Sequence, residues 1–344
     1  MSGALDAFLA EGSCIIDVRS PSEYAQGHIP GSLSLPLFDD AARHRVGLCY
    51  AESGQATAVR LGLELVGPQL KHLVDRAEAL SEGRPIGLYC WRGGMRSGSM
   101  AWLLKTAGLD VRTLPGGYKH YRRALMAFFE SPLPLRVLCG PTGTDKTGIL
   151  QAMATQGAQV VDLEGLAHHK GSSFGAIGQP DQPTNEIFQN RVFEAFRRFD
   201  PGQWMWIEDE SHAIGKVRLP DGLYAGLLCA HWVWVDRPFE LRLNHLVETY
   251  GNASRELLRA GIERIRRRLG GKDCALALEF LDRGELKECA ALLLKYYDRA
   301  YREGMAKKNP ERGVTWSGFS TDVESIARLM TLLEPTIPPV HTHE

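Results

Sequence analysis

The sequence predicts an α/β protein with two parallel-sheet domains, the second of which ends in a helical part. Short apolar runs alternate with segments of helical periodicity, as in chains that build parallel β-α-β units. Two of these runs lead through a glycine-containing loop into a helix, over residues 86–104 and 135–156. After residue 250 the apolar residues recur at helical spacing, and we expect only helices there.

The composition is that of a two-domain globular protein of 344 residues, with 44% hydrophobic and 24% charged residues. A net charge of −1 restricts any nucleic-acid surface to a local patch. Seven cysteines without a Cys-x-x-Cys pair favour reduced thiols and a cytoplasmic location, and they disfavour a disulfide framework or a structural metal. We recognise neither a signal peptide nor an apolar run of about 18 residues, so no membrane association is expected.

The segment Ser131-Pro132-Leu133-Pro134 predicts the domain boundary, because proline interrupts helices and strands. We therefore expect a first domain over residues 1–130 and a second α/β domain over residues 135–250. A helical extension of the second domain is expected over residues 251–334, followed by a disordered, proline-rich tail over residues 335–344.

The first domain is predicted to contain short strands at residues 14–17, 33–37, 86–89 and 111–114. Capping residues predict a short helix that begins near Pro21, and residues 56–80 have helical spacing. Parallel sheets place their chemistry at the C-terminal ends of strands. The strand over 86–89 is therefore the most informative, because it runs directly into Cys90.

Cys90 stands at the mouth of the glycine-containing loop that joins this strand to the next helix. Backbone N–H groups at the start of a helix favour an anion, and they favour a thiolate over a thiol. The sequence therefore predicts a nucleophilic thiolate beside a small tetrahedral oxyanion, with Cys90, Arg92 and Arg96 as the catalytic candidates. The loop expected to hold the anion consists of Cys90, Trp91, Arg92, Gly93, Gly94, Met95 and Arg96.

The segment from Asp17 to Ser32, Asp-Val-Arg-Ser-Pro-Ser-Glu-Tyr-Ala-Gln-Gly-His-Ile-Pro-Gly-Ser, resembles the N-terminal signature of the rhodanese family. The resemblance implies a rhodanese-like parallel-sheet domain that carries sulfur, or a heavier chalcogen, on Cys90. We expect Asp17 and Arg19 to brace this fold rather than to react.

The same loop permits a second interpretation, because Cys-x5-Arg-Ser is also the spacing of cysteine phosphatases. In those enzymes the loop amides and the arginine hold a phosphate while the thiolate attacks phosphorus. Tyr89 occupies the position where they usually carry histidine. Both interpretations share a thiolate and an oxyanion, and they differ in the atom that is attacked.

The second domain begins with a predicted strand over residues 135–139, a loop, and a helix over residues 148–156. The loop is close to the P-loop pattern G-x-x-x-x-G-K-[ST], and it has the strand and helix context that this pattern requires. We expect its amides to cradle a diphosphate, Lys146 to reach the outer oxygens, and Thr147 to ligate Mg²⁺. The predicted diphosphate-binding residues are Gly140, Gly143, Thr144, Asp145, Lys146 and Thr147.

One residue departs from the P-loop pattern, because Asp145 stands where glycine is expected. Glycine allows unusual backbone angles, and aspartate tolerates them better than most residues do. The charge of aspartate, however, repels an anionic ligand at a few ångströms by about 1–4 kcal/mol, depending on the effective dielectric constant. We therefore expect the P-loop to form and its affinity for a diphosphate to be reduced.

A second apolar run in this domain, Trp204–Ile207, ends in adjacent carboxylates. Acidic residues after a strand of a P-loop domain hold Mg²⁺, so we expect Glu208 and Asp209 to hold Mg²⁺ or to support the leaving group. A surface turn with three adjacent acids is the alternative. A third strand is predicted over residues 231–235, which completes an α/β sheet of the P-loop NTPase type.

The helical part contains an arginine-rich segment. Asn252 or Ser254 is predicted to cap a single helix whose buried face consists of Leu258, Ile262, Ile265 and Leu269. The arginines on its other faces are candidates for contacts with an RNA backbone, and the alternative is a solvated helix face. These RNA-contact candidates are Arg264, Arg266, Arg267 and Arg268.

Together with Gly116-Gly117-Tyr118 and Leu163-Glu164-Gly165, these motifs resemble those of the tRNA 2-selenouridine synthase family over nearly the whole chain. The resemblance implies a transferase that converts 2-thiouridine at the wobble position of tRNA to 2-selenouridine. It further implies that geranyl diphosphate alkylates the sulfur, and that selenophosphate, held by the Cys90 loop, supplies selenium. Mg²⁺ would accompany the diphosphate, and no structural metal is expected.

Two other functions are compatible with the sequence. One is a rhodanese-type sulfurtransferase or a Cys-x5-Arg phosphatase that acts on small molecules, with the P-loop as a regulatory nucleotide site. The other is a non-catalytic adaptor with a degenerate P-loop, for which Asp145 is the only support.

Overall fold

A computed structural model describes residues 3–10, 12–318 and 320–332. The chain divides into two compact units, Met1–Phe128 and Phe129–Glu344. The tail expected over residues 335–344 lies outside the described residues. Within the described ranges, no helix is long and apolar enough to cross a membrane.

The first unit contains a four-stranded parallel sheet with the order β2-β1-β3-β4. Its strands are β1 (Cys14–Asp17), β2 (Leu33–Ser34), β3 (Ile86–Tyr89) and β4 (Val111–Thr113). The strand predicted over residues 33–37 is shorter than expected. Only Leu33 and Ser34 pair with β1 as a regular strand, although the N–H groups of Leu35 and Leu37 still donate to the Asp17 and Val18 carbonyls at 3.0 and 3.2 Å.

Helices cover the sheet of the first unit, and its core includes Ile16, Leu88, Met100 and Leu104. The helices are α1 (Gly3–Phe8), α2 (Pro21–Gln26), α3 (Asp40–Val66), α4 (Leu70–Ser81), α5 (Met95–Thr106) and α6 (Gly117–Glu130), whose last two residues fall in the second unit. The helical segment predicted over residues 56–80 is therefore not one helix. It comprises the end of α3, a 3-10 turn over Gly67–Gln69 that contains Pro68, and α4.

The second unit contains a five-stranded parallel sheet with the order β11-β10-β5-β7-β6, and a separate antiparallel pair, β8-β9. The strands are β5 (Leu135–Cys139), β6 (Gln159–Val161), β7 (Met205–Glu208), β8 (Ala213–Ile214), β9 (Val217–Arg218), β10 (His231–Val235) and β11 (Gly313–Trp316). The expectation of only helices after residue 250 was wrong, because β11 pairs with β10. A four-residue strand between helices leaves no periodic signal, although Trp316 packs in the core.

The helices of the second unit pack around its sheet and form a further apolar cluster that includes Phe174, Leu258, Leu281 and Leu293. They are α7 (Lys146–Thr155), α8 (Leu163–Ala167), α9 (Asn185–Phe196), α10 (Asp221–Cys229), α11 (Phe239–Tyr250), α12 (Arg255–Arg264), α13 (Arg266–Leu269), α14 (Gly271–Arg283), α15 (Leu286–Met305) and α16 (Val323–Thr331).

The single helix predicted from Ser254 to Leu269 is two helices in the structure. Ser254 does cap α12, because its side chain accepts a hydrogen bond from the Leu257 N–H at 3.3 Å. The chain leaves helical geometry at Ile265, with φ −98° and ψ 4°. The prediction of the buried face is nevertheless confirmed, since Leu258, Ile262, Ile265 and Leu269 are all buried.

Candidate functional site

The thiol loop (Cys90–Arg96) joins β3 to α5 at the C-terminal edge of the first sheet. Because β3 is buried along its whole length, it delivers Cys90 to a buried position, and this residue is only 3% exposed. The Cys90 Sγ lies 3.2 Å from the Ser97 Oγ at the start of α5. The loop therefore presents a thiol to the N-terminus of a helix, as the sequence predicts.

The surroundings of Cys90 favour its thiolate form. Burial alone would raise the pKa of Cys90. Hydrogen bonds from the Ser97 hydroxyl and from the backbone N–H groups of Ser97, Gly94 and Arg92 outweigh burial, and they lower that pKa below its ordinary value. The same amide groups would stabilise an oxyanion placed beside the sulfur.

The start of α6, directly after the turn that follows β4, holds the thiol loop in shape. The N–H groups of Tyr118 and Lys119 donate hydrogen bonds to the carbonyls of Cys90 and Trp91, each at 2.9 Å. Gly117 has a φ of +58°, and a Cβ there would lie 2.3 Å from the Cys90 carbonyl oxygen. The Gly-Gly-Tyr sequence after β4 thus has a structural purpose, because only glycine permits this close approach.

Arg96 lies in the thiol loop, but its guanidinium group is paired with Glu23 from α2. The two Arg96–Glu23 hydrogen bonds measure 2.5 and 3.1 Å. Burial would raise the pKa of Glu23, but the Arg96 guanidinium outweighs burial and lowers it. The other arginine candidate, Arg92, is exposed, as are Trp91 and Met95. Its backbone N–H, rather than its side chain, is the group that the structure brings to the thiol.

Asp17 and Arg19 form a separate, fully buried ion pair with a closest distance of 2.6 Å. Arg19 also donates to the Gly27 carbonyl at 2.6 Å and lies 4.0 Å from the centre of the Tyr118 ring. These contacts leave no face of the pair open to a substrate, and they support the expected bracing role.

The phosphate loop (Gly140–Thr147) joins β5 to α7 in the second unit. Gly143 has a φ of +85°, and a Cβ there would lie 2.8 Å from the Arg242 carbonyl oxygen. The Lys146 Nζ donates to the Gly140 carbonyl at 3.0 Å, so the loop curls around the lysine ammonium group. Thr144 is buried, and its hydroxyl donates to the Pro141 carbonyl at 2.9 Å.

Asp145 adopts the left-handed conformation that glycine normally supplies at this position, with a φ of 61°. Its carboxylate accepts a hydrogen bond from the Gly148 N–H at 3.2 Å and thereby caps α7. Arg237 lies 3.9 Å from the same carboxylate and donates to the Thr144 carbonyl at 3.2 Å. Its guanidinium group therefore offsets the charge that Asp145 brings to the loop.

Three glutamates form an acidic group on one side of the phosphate loop. Glu208 accepts a hydrogen bond from the Glu164 N–H at 2.8 Å, while its second carboxylate oxygen is buried without a partner. Burial, together with the charge of Asp162, raises the pKa of Glu208 to about 8. Burial also raises the pKa of Glu164 and of Glu210, whose carboxyl groups interact with each other. The Thr147 hydroxyl donates to Glu164 at 3.3 Å.

Asp209, the other acidic candidate, points to different partners. It pairs with Lys308 at 2.9 Å and accepts a hydrogen bond from the Tyr301 hydroxyl at 2.9 Å. That hydroxyl also accepts from the Gly140 N–H at 2.9 Å. Asp209 therefore braces the phosphate loop through Tyr301. In the described part of the chain, no group of three or more His, Cys, Asp or Glu side chains is arranged to hold a metal ion.

The sequence interpretation missed several residues of this site. Arg242 donates to the Thr142 carbonyl at 3.0 Å and forms a bidentate pair with Asp298, with both distances 2.7 Å. Arg242, Arg237 and Tyr301 were missed because each lies about 100 or more residues after the loop that it contacts. Glu164 and Glu210 had a local signal, since each lies in an acidic segment that follows a strand.

The arginines predicted to contact RNA lie at the end of α12 and along α13, and all four are exposed. Arg264 donates a hydrogen bond to the Ser173 carbonyl, and Arg266 lies 3.6 Å from Glu263. Arg267 and Arg268 lie on the same short helix as Arg266.

The class of protein follows from the two units. A family model for the rhodanese-like domain matches residues 3–124, and one for the tRNA 2-selenouridine synthase AAA domain matches residues 133–331. The chain is thus a rhodanese-like domain followed by a P-loop domain with a helical part, which confirms the predicted fold class. It belongs to the tRNA 2-selenouridine synthase family, as the sequence motifs predicted.

Two named relatives agree with this assignment. The chain is 37% identical to the tRNA 2-selenouridine synthase of Shewanella loihica, over 87% of this chain and 89% of that protein. It is 36% identical to that of Bordetella petrii, over 86% and 87% of the two chains. The crystal structure of the N-terminal domain of a putative ATP/GTP binding protein from Clostridium difficile is 35% identical, with a TM-score of 0.33, and covers 35% of this chain and 95% of that one.

Proposed function

We propose that this protein converts 2-thiouridine at the wobble position of tRNA to 2-selenouridine in two steps, one at each loop. The names of its relatives support the overall reaction. The observation that carries the two-step scheme is that one chain contains both a thiol in an amide-lined anion site and a P-loop with its lysine. The thiol loop suits a phosphate-sized donor, and the phosphate loop suits a diphosphate.

The first step is alkylation of the thiocarbonyl sulfur by geranyl diphosphate. The sulfur forms a bond to C1 of the geranyl group, the C1–O bond breaks, and diphosphate leaves with the electron pair while the base loses its N3 proton. A thiocarbonyl sulfur leaves poorly, whereas an alkylated sulfur leaves as a thiol. The phosphate loop amides, Lys146 and Arg237 would stabilise the charge that develops on the diphosphate.

An apolar pocket beside the phosphate loop supports a prenyl diphosphate over a nucleotide. Thr142, Leu246 and Tyr250 border both this pocket and the cavity of the phosphate loop. From there the pocket continues between helices to Ile262 and Leu293. A nucleotide base carries polar edges that these side chains would leave unpaired, whereas a prenyl chain carries none.

Magnesium fits the acidic side of the same loop. Glu208 has a buried oxygen without a partner, and burial raises the pKa values of Glu164 and Glu208, so a cation would relieve an unfavourable set of carboxyl groups. Mg²⁺ usually combines one or two carboxylates with substrate phosphates. We expect Thr147, Glu164 and Glu208 to hold it, and bound there it would neutralise charge on the diphosphate.

The second step replaces the alkylated sulfur with selenium from selenophosphate at the thiol loop. Selenium forms a bond to C2 of the base while the Cys90 thiolate accepts the proton of the selenophosphate Se–H group. The C2–S bond then breaks, and Cys90 passes that proton to the sulfur, which leaves as geranyl thiol. Water then cleaves the Se–P bond and releases phosphate, which leaves selenium on C2. The N–H groups of Arg92, Gly94 and Ser97 would hold the phosphate-like oxygens beside Cys90. Exposed Arg266, Arg267 and Arg268 would contact the tRNA backbone.

Nucleoside mass spectrometry tests this proposal directly. The protein is incubated with tRNA that contains 2-thiouridine, geranyl diphosphate and selenophosphate, with each small substrate omitted in turn. We expect 2-selenouridine with both substrates and S-geranyl-2-thiouridine when selenophosphate is omitted. If a folded protein yields neither nucleoside, the proposal is wrong. Turnover of thiosulfate or of a phosphate monoester in that case would assign a sulfurtransferase or a phosphatase instead.

A further inference from the structure

The first unit contains an apolar groove of about 870 Å³ that the reaction scheme above does not use. We name it the α3–α5 groove, because residues of these helices form most of its walls. Its lining includes Phe38, Tyr50, Leu63, Met95 and Trp102, and its exposed wall is mostly apolar. Gly62 and Gly98, which carry no side chain into it, also line the groove.

The large side chains of this groove are exposed to an unusual degree. Leu63 is 67% exposed, Trp102 is 68%, Tyr50 is 59% and Met95 is 52%. Exposed apolar surface costs about 25 cal/mol per Å² relative to burial, and contiguous patches of it mark binding sites. All four residues lie in one groove rather than being scattered, so the groove is suited to an apolar ligand.

One end of the α3–α5 groove is the thiol loop itself. Gly94, Met95 and Arg96 belong to both. Charged groups gather at this end, because Arg96 and Arg43 approach the same Glu23 carboxylate at 2.5 and 3.8 Å. A ligand that fits this arrangement has an apolar chain attached to a polar group that reaches the thiol loop.

We infer that the α3–α5 groove binds the geranyl chain of S-geranyl-2-thiouridine while selenium replaces sulfur at the thiol loop. This inference rests on the proposed function, because the alkylated base is its intermediate. The groove forms no covalent bond. It places the C2–S bond beside Cys90, and it holds the geranyl thiol after that bond breaks. It also explains how the second site would select alkylated bases, since unmodified 2-thiouridine has nothing to place in the groove.

A matched pair of substitutions in α3 tests the inference. Leu63 and Leu48 are both exposed leucines of α3, at 67% and 48%, on either side of the non-helical residue Gly54, and only Leu63 lines the groove. With tRNA that already carries S-geranyl-2-thiouridine, we expect Leu63→Lys to lower kcat/KM for selenation at least tenfold and Leu48→Lys to leave it unchanged. Geranylation of 2-thiouridine tRNA and the rate of Cys90 alkylation by iodoacetamide should stay at wild-type values in both variants.

A binding measurement separates this inference from the reaction itself. Trp102 is exposed in the groove, so the S-geranyl-2-thiouridine nucleoside should shift its fluorescence to shorter wavelength. The shift should be absent with S-methyl-2-thiouridine and in Trp102→Phe. This fluorescence shift can occur in a protein that makes no 2-selenouridine. In that case the proposed function is wrong, and the groove is still a site for a geranyl group.

Two results would overturn the inference. One is wild-type selenation by Leu63→Lys together with an unchanged fluorescence response to the geranyl nucleoside. The other is a change of oligomeric mass in Leu63→Lys, measured by analytical ultracentrifugation, with selenation unaffected. The groove would then be an interface between copies of the chain.

Discussion

The Asp145 carboxylate, in the phosphate loop, lies 3.9 Å from the Arg237 guanidinium group. The acid that breaks the P-loop pattern is therefore accompanied by a cation that the pattern does not contain. The aspartate also caps α7 through the Gly148 N–H. Its unfavourable effect on a diphosphate should thus be smaller than its charge alone suggests.

Removal of that charge should still tighten diphosphate binding. Asp145→Asn keeps a capping oxygen and frees Arg237 to contact the ligand. We expect the Kd for pyrophosphate to fall about three- to tenfold, which corresponds to roughly 0.7–1.4 kcal/mol. Isothermal titration calorimetry measures this, with Asp75→Asn, at an exposed position of α4, as the control. Equal dissociation constants for Asp145→Asn and the wild type would show that Arg237 cancels the charge completely.

Cys90→Ser should abolish selenation and leave geranylation intact, because the thiol belongs to the second step alone. The assay is nucleoside mass spectrometry with 2-thiouridine tRNA, and S-geranyl-2-thiouridine should accumulate. Cys229→Ser is the control, since Cys229 is an exposed free cysteine of the second unit. Substantial 2-selenouridine from Cys90→Ser would contradict a role for the thiol.

Lys146→Ala should show the opposite result. The lysine ammonium group would contact the leaving diphosphate, and loss of such a contact costs about 10²–10³ in rate. We expect geranylation to fall by that factor, while tRNA that is already geranylated is selenated at the wild-type rate. Loss of both activities would mean that Lys146 supports the whole protein rather than the first step.

The Ser97 hydroxyl should control the reactivity of Cys90. It stabilises the thiolate, so Ser97→Ala should raise the pKa of Cys90. The rate of iodoacetamide alkylation follows the thiolate fraction, and its midpoint should therefore move to higher pH in the variant. Ser99→Ala, in the exposed part of the same helix, should not move it. A midpoint shared by all three proteins would exclude the hydrogen bond as the cause.

Glu208 should make the stability of the protein depend on pH. Its pKa is about 8 in the folded state and 4.5 ordinarily, so the folded protein binds a proton more tightly than the unfolded chain does. Its contribution to stability is fully present below pH 4.5, and it is lost as the pH rises towards 8.

The loss is at most about 1.4 kcal/mol per pH unit for one group. Glu208→Gln should remove that slope from the free energy of unfolding, measured by urea titration between pH 5 and pH 8. Parallel pH profiles for the variant and the wild type would place the pKa of Glu208 near its ordinary value.

Those parts of the sites that are local in sequence could be predicted. The strand, cysteine, glycines and helix of the thiol loop are consecutive, and so are those of the phosphate loop, because each depends on backbone conformation over a few residues. The partners of these loops could not be predicted. Glu23 and Arg96 are 73 residues apart, and Arg242 and Asp298 are 56 apart. Which charges meet across such separations depends on sheet order and helix packing.

The errors in secondary structure have similar causes. Leu258, Ile262, Ile265 and Leu269 were predicted to share one buried face, and they do, but periodicity alone does not reveal the break at Ile265. The strand β11 was missed because four residues carry too little pattern to compete with the helices around them. In both cases the apolar residues indicate which positions are buried, but the conformation of the backbone depends on the elements that pack against it.

The hydrogen bond from the Gly140 N–H to Tyr301 has a consequence for how the protein can be divided. Tyr301 and Asp298 belong to α15, near the end of the described chain, yet they fix the loop that follows β5. A fragment that ends after β10 would contain every residue of the P-loop motif but would lack Tyr301 and the Arg242–Asp298 pair, which hold the loop in place. We therefore expect the proposed diphosphate binding to require more than the segment that carries the motif, so trimming the C-terminal helices should remove binding while leaving the motif intact.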